Sequence, residues 1–535
     1  MDINPPKNIA LWFDWHAGRK HTTRMRLDRP FDIAPAGGRH YNAESMAELV
    51  REASGWLYEV GVRHGDTVAV IKNNHFDFLL LSAAAARVGA VAATISAANQ
   101  TEHLAQLIAR LKPTALVMTA EVLTRLSAAG GWPQDGCRAL LLDGRLDNAI
   151  SVDDLRGGKP APMSLRGDSE PMMITHSSGT TGVPKLVVHT ANTNRAATRL
   201  ELLPMPVAVS GRRDVVLSSI SFAHSRAYAW AAAQFRWAPA ELMIASTHQV
   251  SDVERLMSEQ KPTIVETVPN IFQHWLPLVR RRPELFARVR YYMNTFDLMH
   301  PSIARPFLNA SQRRLVVWGH SWGQSEVGPI AGNAYLRPQL NKIAGTRDDN
   351  MNNMGFPWPG LVKAKIVDPT TRRALPRQAV GDILVKGKSI CVDYLGETDR
   401  HEANQDGQWW KTGDVGYRDR ARRIHFVGRA VDAIPNGSET ELESVLLERI
   451  PGASEVIILS RGEQPPLPVL CVDGDEPTDE VWKAATSDLP PLSPRVVLPW
   501  DELPRTSTWK VNRARLKEHL REREQDSAVG GEQLV

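Results

Sequence analysis

Between residues 43 and 118 the chain alternates between helical and strand-like periodicity, and this limits the fold more sharply than any other feature. Residues 43–60, 77–88 and 101–111 repeat apolar side chains at helical spacing. Between and after them, residues 67–72, 90–95 and 114–118 are short runs rich in β-branched and small apolar residues. Strands joined through a helix are parallel neighbours, because a hairpin would need only a tight turn. A parallel sheet is buried on both faces, so helices must cover both sides. The expected class is α/β.

The pattern continues through strand-like residues 214–218, 263–267 and 313–318, RRLVVW closing the last. From Gly355 its character changes. GFPWPGLVKAKIVD and GDILVKG read as short strands between Pro/Gly turns, a small β lobe that ends near Gly428. Beyond it, helical residues 439–448 and 512–525 flank strands 455–459 and 467–472, a compact α+β unit. At 535 residues the chain exceeds a single core. The division expected is an N-terminal domain over 1–428, with parallel and mixed sheets, and a smaller C-terminal domain over 429–535. Residues 526–535, rich in Gly, Gln and Glu, are expected to fray.

With 42% hydrophobic and 23% charged residues, the chain has the composition of a soluble globular protein. Its net charge of +4 is dispersed, without the basic stripe and interleaved aromatics of a nucleic-acid binder. Cys137, Cys391 and Cys471 are too few and too far apart for a disulfide framework or a zinc site, which fits a reducing cytoplasm. The first twenty residues lack a basic stretch followed by an apolar run. Arg87 interrupts the apolar stretch 78–98, leaving halves too short to span a bilayer. A cytoplasmic protein with no membrane or nucleic-acid partner is expected.

Residues 175–185 read THSSGTTGVPK. Glycines let a backbone approach an anion, hydroxyls and N–H groups donate to phosphate oxygens, and the lysine supplies a mobile charge. The string is no Walker A loop, since Gly179 and Gly182 stand only three positions apart and Lys185 follows a proline. Short Ser/Thr/Gly strings are commonly plain surface turns. The full string resembles the phosphate loop of the adenylate-forming superfamily, which holds acyl-CoA synthetases, peptide-synthetase adenylation domains and luciferases. The resemblance implies that Thr175, Ser177, Ser178, Gly179, Thr180, Thr181, Gly182 and Lys185 meet the phosphates of ATP.

Further matches follow in the family's order, beginning with GVRHGDTVAV at 61–70. WGQSE at 322–326 resembles the family's aromatic-Gly-x-Thr-Glu string. It implies Trp322 and Gly323 at adenine, Ser325 at phosphate and Glu326 on Mg²⁺, which favours carboxylate oxygen. KTGD places Asp414 on the ribose hydroxyls, and Arg429 in GRAVD lies nearby. PRTSTWKVNR matches the motif whose lysine, here Lys510, bridges the attacking oxyanion and the α-phosphate. Pro504, Thr506 and Arg513 match with it, while Trp509 replaces the family's glycine. His224 in SFAHSRA takes a position bordering the acyl pocket, and Thr295 in NTFDL lies on the strand beside adenine. The implied catalytic set is Lys510, Lys185, His224 and Glu326. The cofactors are ATP and Mg²⁺, and a large N-terminal domain works with a mobile C-terminal one. The reaction is attack of an oxyanion on the α-phosphate of ATP with release of pyrophosphate. GHSWG at 319–323 competes, because it satisfies the G-x-S-x-G elbow of serine hydrolases with Ser321 as nucleophile. The following QSEVGPIAGN is poorly suited to the helix that an elbow needs.

Departures from the family concern the second half-reaction. Val431 fills the hinge position, and AIPNGSETELE is shorter than the family's loop along the thiol tunnel. Only SRGEQPPL separates the last two strands, where CoA ligases are usually longer. NTFDL stands where many relatives have Gly-Gly-Ala, and Leu186 follows Lys185 in place of glycine. These changes leave the ATP site whole and erode the thiol site, so CoA is an uncertain acceptor beside an amine or hydroxyl. A narrowed pocket and a reduced thiol tunnel would also suit the chemistry of bacterial diazotases similar to acyl-CoA ligases, in which nitrite is adenylated and an aryl amine captures the nitrosyl group; this is one alternative. An ordinary aryl- or acyl-CoA ligase is another. A degenerate, non-catalytic homologue is disfavoured, because Lys185, Glu326, Asp414 and Lys510 all survive.

Overall fold

Strands Thr67–Lys72, Val91–Ser96, Ala115–Met118 and Arg138–Leu141 pair in parallel, as the helix–strand alternation requires. The computed structural model describes residues 3–131, 136–177, 183–205, 207–344, 351–434 and 437–531, without the side chains of 524–531. These four strands belong to an eight-stranded sheet. Every residue of Val91–Ser96 is buried, as expected between two helical layers. Helix Ala43–Glu59 starts where Asn42 and Ser45 cap each other's backbone N–H groups. One edge of the sheet turns antiparallel: Pro171–His176 pairs with Leu186–Thr190, which pairs with Asp393–Tyr394.

Among the described residues the second sheet has fourteen strands. Its parallel part includes Glu241–Ile244, Val215–Ser219, Ile264–Thr267, Tyr291–Asn294 and Val317–Gln324. The strands of the β lobe continue this sheet in antiparallel pairing through Gly328–Leu336 and Asn353–Pro357. The expected strand at 313–318 instead begins at Val317 and runs on to Gln324. Ser321 lies inside it, facing Gly332 across a regular antiparallel ladder. No strand–turn–helix elbow exists at Ser321, because the glycines and proline beyond it form the partner strand rather than a helix. The serine-hydrolase alternative therefore fails on backbone geometry.

Strands Ala453–Arg461 and Gln464–Val472 form a hairpin, joined by a two-residue turn with Gly462 at φ +70°. Val496–Val497 completes a three-stranded sheet. Helix Arg513–Gly531 continues through most of the segment expected to fray. Its Leu516 and Leu520 pack against Ile457 and Leu459. Arg513 donates to Glu443 Oε1 at 2.7 Å and to the Ile458 carbonyl at 2.8 Å, tying this helix to Glu439–Arg449. Cys137, Cys391 and Cys471 are free. Among the described residues no helix is long and apolar enough to cross a membrane.

One aromatic core joins the C-terminal unit to the rest. Trp318 stacks on Tyr292 with ring centroids 5.3 Å apart and lies 4.7 Å from Phe272. Leu442, Leu446 and Ile450 belong to the same cluster. A second seam runs through Trp509, whose ring meets His248 at 5.1 Å and Trp500 at 6.2 Å, while Trp500 stacks on His274 at 4.8 Å. Trp509 has φ +65°, a left-handed conformation unusual for a bulky residue and consistent with the glycine it replaces. Replacing Trp318 by Ala removes a fully buried ring and its 2.8 Å bond to Asn294. A loss of about 3–5 kcal/mol is expected, read as a clearly lowered Tm in thermal melts.

Candidate active site

Alternate residues of neighbouring strands point to one face of the large sheet. Ile264 and Glu266, Tyr291 and Met293, and Val317 form one wall of a cavity of about 600 Å³. Helix Ser225–Trp237 covers it, presenting Arg226, Ala229, Ala233 and Trp237 at helical spacing. Of the residues singled out in the sequence, Lys185, His224, Thr295, Gly323, Ser325, Glu326, Arg429 and Lys510 line this cavity. Thr175 lies near the end of strand Pro171–His176 and Ser177 just beyond it. Ser177 Oγ accepts from the Lys185 N–H at 3.0 Å, and the Ser177 N–H donates to the Lys185 carbonyl at 3.0 Å. Thr175 is buried with its hydroxyl unpartnered. Ser178, Gly179, Thr180, Thr181 and Gly182 lie outside the described residues.

Lys185 and Glu326 come from different sheets. Lys185 precedes strand Leu186–Thr190, and Glu326 sits in the tight connection between Val317–Gln324 and Gly328–Leu336. Lys185 Nζ lies 3.3 Å from Glu326 Oε1 and donates to the Tyr394 hydroxyl at 3.2 Å, which itself donates to Glu326 Oε1 at 2.8 Å. Burial pushes the Glu326 carboxyl up, but the Lys185 ammonium and the Tyr394 hydroxyl outweigh it and hold the group below the ordinary carboxylate range. An ionised, buried carboxylate is a fitting donor for Mg²⁺, which shares its remaining positions with phosphate and water. Sequence reasoning missed Tyr394, since nothing local distinguishes it.

Asp414 lies on Trp409–Arg418 directly opposite Arg429, whose Nε is 3.1 Å from Asp414 Oδ1. Asp414 Oδ2 accepts from Trp322 Nε1 at 2.9 Å and Gln324 Nε2 at 3.0 Å. Burial raises the Asp414 pKa, and Arg429 and Trp322 oppose that rise. Trp322 thus engages Asp414 through its indole nitrogen, and Gln324 joins them, a role its sequence position did not signal.

His224 caps the covering helix. Its Nδ1 accepts the Arg226 N–H at 3.1 Å, and its Nε2 meets Ser325 Oγ at 2.8 Å. An acceptor Nδ1 in a neutral imidazole requires the proton on Nε2. His224 therefore donates to Ser325, whose own hydroxyl proton is left to donate onward. Burial, and after it the nearby His176 and Lys510, pushes the His224 pKa down to about 3. His224 packs on Phe296 at 4.6 Å. Phe296 has φ +75°, and the Asp297 N–H donates to the Thr295 carbonyl at 3.0 Å across it, a three-residue γ-turn. The turn brings Asp297 Oδ2 to 4.0 Å from Lys510 Nζ. Lys510, carried by the C-terminal unit, thus stands at the same cavity as Lys185 and Glu326.

The family model for AMP-binding enzyme matches residues 14–395. A curated relative, 3-amino-2-hydroxy-4-methoxybenzoate diazotase of Streptomyces cremeus, is 32% identical over 95% of this chain and 94% of its own length. 4-Coumarate–CoA ligase 5 of Oryza sativa subsp. japonica is 24% identical over 85% of this chain and 84% of its own length. Among solved structures, the anthranilate CoA ligase AuaEII in complex with anthranoyl-AMP superposes with a TM-score of 0.80. It is 18% identical and matched over 98% of this chain and 99% of its own.

Buried histidines make the fold acid-sensitive in a defined window. Burial lowers His16, His224 and His248 to about 3 and His320 to about 4. Below the unfolded value near 6.5, the unfolded chain binds protons that the folded one refuses. Stability is then lost as pH falls, by about 1.4 kcal/mol per pH unit for each such histidine, until the folded pKa is reached. Thermal midpoints measured from pH 7.5 down to pH 5 should drop steadily, and the drop should be shallower in a His248→Asn variant.

Proposed function

We propose, for a chain that belongs to the AMP-binding enzyme family and is an ATP-dependent, adenylate-forming ligase, that the oxyanion it activates is nitrite and the acceptor an aryl amine. The observation that carries this reading is the 32% identity to a diazotase across 95% of the chain, against 24% to a coumarate–CoA ligase across 85%. The γ-turn at Phe296 and the short hairpin at Gly462 agree with it, for they fall where the sequence departs from CoA-ligase patterns.

Each step balances. A nitrite oxygen attacks the α-phosphorus of ATP, the α–β bridge breaks, and pyrophosphate leaves, giving a nitrosyl–AMP anhydride. The aryl amine nitrogen attacks the nitrosyl nitrogen, AMP departs with the oxygen electron pair, and the amine loses a proton. The N-nitroso amine tautomerises to the diazohydroxide, and protonation with loss of water gives the diazonium ion. The enzyme's part is positioning and charge stabilisation. Lys510, held beside Asp297, meets the charge that develops on the α-phosphate oxygens. Lys185 and the loop 175–182 bind the outgoing pyrophosphate. Ser325, oriented by neutral His224, donates to a phosphate or nitrite oxygen. Thr295, Trp322, Gly323, Asp414 and Arg429 form the adenosine side. Glu326 would hold a Mg²⁺ that screens phosphate charge from the incoming anion.

In this reading residues 1–428 bind substrates and 429–535 carry the catalytic lysine, with the turn Ala430–Asp432 as their joint. The three free cysteines suit a cytoplasmic enzyme. The protein with MgATP, nitrite and an aryl amine should release AMP and pyrophosphate in a nitrite-dependent manner and develop diazo absorbance. Lys510→Ala should lower the AMP release rate by about 10²–10³ with unchanged circular dichroism. AMP release that needs CoA and a carboxylic acid but not nitrite would establish the CoA-ligase alternative instead.

A further inference from the structure

The cavity is lined by three charged side chains for which adenylation has no use. The first turn of helix Ser225–Trp237 places Arg226 there, strand Ile264–Thr267 places Glu266, and Glu201 follows helix Ala191–Thr198. Arg226 Nε and Nη2 donate to the two oxygens of Glu266 at 2.7 and 2.9 Å, and its Nη1 donates to Glu201 Oε1. All three line the cavity. One guanidinium thus serves two carboxyl groups, an arrangement with surplus hydrogen-bond acceptors, and burial together with the neighbouring Glu266 pushes the Glu201 carboxyl up against the pull of Arg226. Glu201 engages Arg226 through one oxygen only, and among the described residues its other oxygen has no protein donor.

A buried ionic group of this kind is costly unless its remaining lone pairs are met. A ligand completes it by bringing a donor. A ring carboxylate turned to this group would be the third carboxyl group around one guanidinium. Phe296, Met293, Met205 and Trp237 line the same cavity as Lys510 and Ser325 and supply apolar faces for an aromatic ring. We propose that the acceptor is an aryl amine with a second hydrogen-bond donor on its ring, a phenolic hydroxyl or further amino group, received by Glu201 while Arg226 and Glu266 hold that carboxylate in place. This rests on the diazotase reading, with the reacting amine at the opposite end of the ring.

The full-length enzyme is assayed for nitrite-dependent AMP release with aniline, the three aminophenols and 3-aminobenzoate. At least one aminophenol should exceed aniline in kcat/KM by about a hundredfold or more, because a site built to bond a hydroxyl rejects an analogue lacking it. Glu201→Ala should bring that ratio towards unity, and Glu201→Gln, which keeps an acceptor oxygen, should retain part of it. A merely structural role would lower the rates for all amines together and leave the ratio unchanged. Titration calorimetry of aniline and the same aminophenol supplies a readout independent of turnover, and serves if Glu201→Ala does not fold. Aniline or 3-aminobenzoate matching every aminophenol, or a ratio unmoved by Glu201→Ala and Glu201→Gln, overturns the proposal. Absence of nitrite-dependent AMP with every amine defeats the diazotase reading instead, and the calorimetric preference then decides the donor site alone.

Discussion

The seam where Lys185, Tyr394 and Glu326 meet is the constraint on which the active centre depends. Lys185 and Tyr394 belong to the antiparallel edge of the smaller sheet, and Glu326 to a reverse connection of the larger one. The Cys391 N–H donates to the Glu326 carbonyl at 2.7 Å, and His189 Nε2 donates to the Ser325 carbonyl at 2.8 Å. Backbone and side chain thus stitch the two sheets at one place. A buried charge pair is weak evidence for stability, since desolvation offsets attraction. Its effect here is to set geometry, holding a lysine and an ionised carboxylate at fixed separation in the wall of the cavity.

The same economy governs the neutral groups around it. Burial keeps His224 uncharged, and the cap on the covering helix dictates its tautomer, so Ser325 is presented as a donor. A charged imidazole in that place would add a third cation to Lys185 and Lys510 at one cavity. Two strained backbone positions then bring the C-terminal lysine to the site. Phe296 at φ +75° aims Asp297 at Lys510, and Trp509 at φ +65° anchors the adjacent residue against His248 and Trp500. Such conformations cost on the order of 1–3 kcal/mol each and persist only where surrounding contacts over-determine them. Both lie where the sequence departs from its family.

Much of the architecture was legible because it is written in local periodicity. Thr67–Lys72 and Thr101–Leu111 have the bounds expected of them, and the adjoining elements differ by about a residue. The nucleophile elbow at Ser321 was misleading for an instructive reason. A five-residue pattern says nothing of whether the chain beyond it turns into a helix or pairs as a strand, and Gly328–Leu336 pairs. The β lobe likewise read as a separate piece, because a sheet that continues across a Gly/Pro-rich junction leaves no periodic trace.

The sequence by itself determined the alternating α/β scaffold and the family strings that single out Lys185, Glu326, Asp414 and Lys510, since each is a matter of residue type within a short window. Only the tertiary structure decided which side chains complete them. Tyr394 reaches Lys185 across 209 positions, Gln324 reaches Asp414 across 90, and Arg226 reaches Glu266 across 40. Those contacts follow from strand order and from the face each strand buries, and no local pattern encodes either.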